Sequence, residues 1–179
     1  MLSRSVRDPM VLLLLVVCAS LVYPVVEGRR DAPLTSAAAA EAGWMEKIAA
    51  VDDALANGRI DLATRAWHDA YVQAFGDRRW ESMVATGDAA LRIAAAAGTQ
   101  RYGYSDARRA YLSALYRARA AGSVDGVLYV AKAFSALGDR DVVAMSLHIA
   151  HDVALESPHT DDVARVRSYA NQVALTIRR

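Results

Sequence analysis

The chain carries one cysteine, Cys18, which excludes an intramolecular disulfide and zinc sites built on cysteine pairs. Proline (four residues) and phenylalanine (two) are scarce, and that favours closely packed helices over sheets. An excess of one charge sign is also missing, since the formal net charge is +1. The first 28 residues add nothing to it, because Arg4 and Arg7 offset Asp8 and Glu27. A nearly neutral folded part argues against electrostatic binding of nucleic acid. No nucleophile motif, glycine-rich phosphate loop or acidic pair stands beside Asp61, His68 and Asp69, so no catalytic residue and no cofactor are expected.

Alanine supplies much of the 54% hydrophobic content, and 179 residues is about one domain. The one long apolar run is Met10 to Val26, with Arg4 and Arg7 before it and Glu27, Arg29 and Arg30 after it. This pattern fits a secretory signal cleaved near Val26-Glu27-Gly28, and it fits equally a short retained membrane anchor. Residues 1–28 therefore read as signal or anchor helix, 29–35 as a linker and 36–179 as the folded domain. Either reading puts that domain at or beyond the cytoplasmic membrane, on the periplasmic or extracytoplasmic side, with membrane contact through the N-terminal segment if it is retained.

A glycine-anchored pattern occurs twice, eighty residues apart. Counted from Gly58 and from Gly138, both copies have Ala at −2, Asp at +3 (Asp61, Asp141), His at +10 (His68, His148) and Ala at +12 (Ala70, Ala150). Repetition on this scale points to a stacked helical array. Punctuation by Gly, Asp and Ser predicts helices over 36–56, 59–75, 79–97, 104–121, 124–137, 140–156 and 160–178. Gly87-Asp88 is expected to kink or split the third of these. Apolar rows on two faces of 140–156 predict a helix packed on both sides. The last helix has a single stripe (Val163, Val166, Ala170, Val173, Ala174, Ile177) and reads as a cap, with Thr160 as its N-cap.

The stretch Val127 to Ala150 resembles a tetratricopeptide repeat (TPR). The matching positions are Val127, Val130-Ala131, Phe134 and the Gly138-Asp139 turn, followed by Val143 and Ala150. Gly58, Ala63 and Ala70 match in the first copy, and Ala107 and Ala114 play the same parts between the two. The resemblance covers roughly residues 44–156. It implies an all-α, right-handed stack of about three helix hairpins with a C-terminal capping helix. It also implies a non-catalytic scaffold that binds a protein or peptide on the face of the first helix of each pair. In the third hairpin those positions are Asp125, Leu128, Lys132 and Ser135. Self-association is the other use of such a surface.

Other clusters are weighed against packing. His148 and His151 are spaced to share a helix face, which would suit a metal-dependent accessory protein or small helical enzyme. Two histidines leave the ligand count short, and His148 repeats His68, where no second histidine follows, so no metal site is expected. Asp61 and Asp141 read as first-turn carboxylates favoured by the helix dipole and able to cap amides, not as acid–base groups beside His68 and Asp69. The Tyr- and Arg-rich segment 101–119 reads as a helix with a buried alanine face and solvated arginines, and Trp44, Trp67 and Trp80 as core anchors.

Overall fold

A computed structural model of the chain describes residues 32–177. The proposed signal or anchor, 1–28, lies outside the described residues. Among those described, no helix is long and apolar enough to cross a membrane.

The described chain is all-helical: α1 (Ala32–Ala56), α2 (Ile60–Gly76), α3 (Trp80–Ala97), α4 (Gln100–Ala120), α5 (Val124–Leu137), α6 (Arg140–Glu156) and α7 (Asp162–Ile177). The helices fall where the punctuation predicts, although α1 begins at Ala32 and α4 at Gln100, ahead of the expected starts. Residues 40–179 form one compact unit. From α2 onward each helix packs on its chain neighbour, while α3 also touches α5, α4 touches α6 and α5 touches α7. Contacts therefore run mainly between helices that are close in the chain.

Local chemistry explains the breaks. At Gly138 the backbone turns left-handed (φ 78°), and the Asp139 N–H closes on the Phe134 carbonyl at 3.1 Å. That is a glycine-terminated helix end, open to few side chains other than glycine. The new helix starts with a capping acid, but the acid is Asp139, whose carboxylate accepts from the Val142 N–H at 3.3 Å. The expected first-turn acid Asp141 is exposed, and α2 begins with no side-chain cap, its Asp61 pairing instead with Arg65 at 3.1 Å.

The core is lined by the residues that carry the repeat resemblance. Val127, Val130, Ala131, Phe134, Ala150 and Val143 are buried, as are Ala63 and Ala70 near one end and Ala107 and Ala114 in the middle. The closest helix pair is α3–α4, and here the expectation of a break at Gly87-Asp88 fails. Helix α3 runs unbroken, and Gly87 is the seat for a ring: a Cβ there would lie 2.5 Å from Cε1 of Tyr111. One turn from the α4 start, a Cβ on Gly103 would lie 2.1 Å from the Ala94 Cβ. The two glycines let the helix backbones approach more closely than any larger residue permits. Trp67 is anchored differently. Its Nε1 donates to the Thr86 carbonyl at 2.8 Å, so the buried indole carries no unpaired donor.

Candidate partner-binding surface

The four sequence-derived groove residues lie on α5, and α7 lies against three of them. Asp125 is ion-paired with Arg165, the Lys132 ammonium sits 5.6 Å from the centroid of the Tyr169 ring, and Ser135 shares a side-chain hydrogen bond with Tyr169. Leu128 is buried in the core. Burial raises the Tyr169 pKa, and the Ser135 bond partly opposes that. This face is thus engaged by the chain's own last helix.

Two grooves lie elsewhere, along α2 and along α6. A cavity of about 210 Å³ is walled on one side by Thr64, Trp67 and His68 of α2. A larger one, about 510 Å³, is walled by Ala144, Leu147 and His148 of α6. These residues stand six, nine and ten places after Gly58 and Gly138, so the repeat places the same three positions at both grooves. Across the first groove α3 supplies Ala90, Ile93, Ala94 and Ala97. Across the second α7 supplies Val163, Val166, Arg167 and Ala170, with the same helical spacing. The second groove also reaches a turn further along α6, to His151.

A second repeated element was not anticipated. The chain leaves α2 and α6 in extended backbone, without a left-handed glycine, and a buried acid stands in the link after α2 and at the first residue of α7. Asp77 (8% exposed) is held by Arg79 at 3.3 Å, and Arg79 reaches on to Glu41 of α1 at 2.6 Å. Asp162 (2% exposed) accepts from the Ser157 hydroxyl at 2.6 Å and from Arg165 at 2.7 Å, and Arg165 reaches on to Asp125 of α5. The expected cap Thr160 is exposed; α7 starts on Asp162. Both arginines are held above the usual arginine pKa, chiefly by the side-chain hydrogen bonds to Glu41 and Asp125. One clasp ties α1 to the link before α3, and the other ties α5 to α7.

The basic and aromatic residues of α4 are largely committed. Arg117 donates to the carbonyls of Ala74 (2.8 Å), Phe75 (3.1 Å), Asp77 and Arg79 (3.2 Å), closing the C-terminal end of α2. Burial lowers its pKa. Arg108 pairs with Asp139 at 2.8 Å and Arg109 with Asp106 at 3.4 Å, while Tyr111 is buried. Tyr104 and Tyr116 remain exposed.

His148 and His151 do share a groove. Among the described residues, however, no three His, Cys, Asp or Glu side chains come together to hold a metal ion. His68 lines the first groove, away from both.

No protein-family model, curated protein or solved structure matches the chain. Any functional reading therefore rests on the geometry of the grooves.

Proposed function

We propose that residues 40–179 form a TPR-like, non-catalytic scaffold that binds a protein or peptide partner at or beyond the cytoplasmic membrane. The observation that carries this reading is the α6–α7 groove. It has apolar walls (Leu147, Val163, Val166), a polar rim (His148, His151, Arg167) and the volume of several side chains. An apolar trough with a few polar groups at its edge suits the docking of a side-chain-bearing segment. The mechanism is recognition by a rigid surface, with no bond made or broken.

The test is a photo-crosslinking amino acid placed at His148 of the full-length chain in its native membrane fraction. A discrete adduct, lost when Leu147→Lys is added and kept when Val72→Lys is added on exposed α2 surface, supports the scaffold. An adduct made of two copies of this chain assigns the groove to self-association; no adduct at all overturns the reading. Fractionation with N-terminal sequencing decides the membrane attachment, because a mature chain that begins near Arg29 rules out an anchor.

The shared groove position of His148 and His151 favours one rival, a metal-dependent accessory protein. Stoichiometric zinc in the purified chain, lost on changing both histidines to Ala, would replace the scaffold reading with that one.

A further inference from the structure

We infer that the α6–α7 groove receives an amphipathic helix of a partner protein that bears a carboxylate facing Arg167. The inference rests on the scaffold reading and names the occupant of its groove.

The chain contains its own example of such a contact. In the first repeat, the α2 positions that line the groove face α3, and α4 closes the third side with Gly103 and Asp106. In the second repeat the equivalent α6 positions face α7, and no third described helix lines this groove. Two walls of a three-helix arrangement are present, and an amphipathic helix is the shape that completes it.

The charge of the occupant follows from what differs between the two grooves. The α3 residues across the first are Ala90, Ile93, Ala94 and Ala97, all apolar, and α4 meets them at glycine distance through Gly103. In the matching row on α7 the third place is Arg167, not alanine. A helix cannot approach Arg167 as closely as α4 approaches Ala94, but a carboxylate can bridge the wider gap to the guanidinium. Among the described residues no carboxylate lines this groove. Arg167 is exposed at the edge of the groove, so its guanidinium is open to a partner's carboxylate. Leu147, Val163 and Val166 then meet the apolar stripe of the incoming helix.

The experiment uses the full-length chain in mild detergent and two short fluorescein-labelled helical peptides. Both have one Leu/Ala face, and they carry either Glu or Lys at the place that meets Arg167. Fluorescence anisotropy should give roughly ten-fold tighter binding of the Glu peptide, since a complementary charge favours one partner and a like charge repels the other. Arg167→Glu should reverse the order, Arg167→Gln should remove the difference, and Leu147→Lys should abolish binding of both. Equal binding of the two peptides, binding of neither, or an order that survives Arg167→Glu would overturn the inference. If the peptides fail while the His148 crosslink still traps a partner, the occupant's chemistry is wrong and the scaffold stands; if the crosslink fails too, both fall.

Discussion

The Tyr111 hydroxyl of α4 donates to Oδ1 of Asp88 on α3 at 2.5 Å, while the ring of the same tyrosine fills the space above Gly87. Tyr129 of α5 donates to the other oxygen of that carboxylate at 3.0 Å, so one acid joins three helices.

Removing the hydroxyl with Tyr111→Phe leaves the packing but takes a donor from a charged acceptor. A loss of about 2 kcal/mol is expected in urea unfolding followed by circular dichroism. Gly87→Ala should cost a similar amount, about 1–3 kcal/mol, by overpacking against the ring. The double variant should lose less than the sum, because both changes disturb one contact.

The same cluster sets an alkaline limit. Burial, then the Asp88 bond, raises the pKa of Tyr111 far above the ordinary tyrosine value, and Tyr129 is raised as well. A raised folded-state pKa means that the stabilisation is complete below about pH 10, where unfolded tyrosine is also neutral. Above that the unfolded chain ionises first, and stability should fall by about 1.4 kcal/mol per pH unit for Tyr111. Urea midpoints measured between pH 9 and 11.5 check this; Tyr111→Phe should flatten the decline.

Arg117 closes the carbonyl end of α2 with a fork that lysine cannot reproduce. Arg117→Lys should cost about 2 kcal/mol, and Arg117→Ala more, because the Ala74 and Phe75 carbonyls lose their charged donor. Hydrogen exchange should quicken at the C-terminal turn of α2 and the start of α3, and stay unchanged in α6 and α7.

Two substitutions separate charge from packing at α7. The outer arm of Arg165 reaches the exposed Asp125, so Asp125→Ala should cost about 1 kcal/mol or less. Val166 is 3% exposed, and Val166→Ala should cost about 2 kcal/mol by leaving a void under the helix. Thermal unfolding of the two variants gives the comparison; the opposite order would mean that α7 is held by its ions.

Much of this architecture was legible in the sequence because it depends on local chemistry. Gly58, Gly98 and Gly138 mark helix ends, since each takes a left-handed turn that disfavours side chains. Gly87 misled because a helical glycine and a terminal glycine look alike in sequence; only Tyr111, distant along the chain, explains the first. The α5 positions Asp125, Leu128, Lys132 and Ser135 were read as an exposed groove, but Leu128 is buried and the residues that meet the other three, Arg165 and Tyr169, follow some forty residues later. His68 and His148 were found as a repeated pair. That they line grooves depends on what α3 and α7 set opposite them, and the repeat pattern does not contain those helices.

The paired clasps at Arg79 and Arg165 decide where dissolved salt acts on this protein. Their inner acids, Asp77 and Asp162, are shielded from mobile ions, while the outer arms to Glu41 and Asp125 lie in water and weaken as ionic strength rises. The α3–α4 junction, joined by glycine contact and by the neutral Tyr111 hydroxyl on Asp88, depends less on attraction between opposite charges and so is screened less. Rising salt should therefore free the two seams before it touches that junction, so that stiffness changes at the seams while the fold persists.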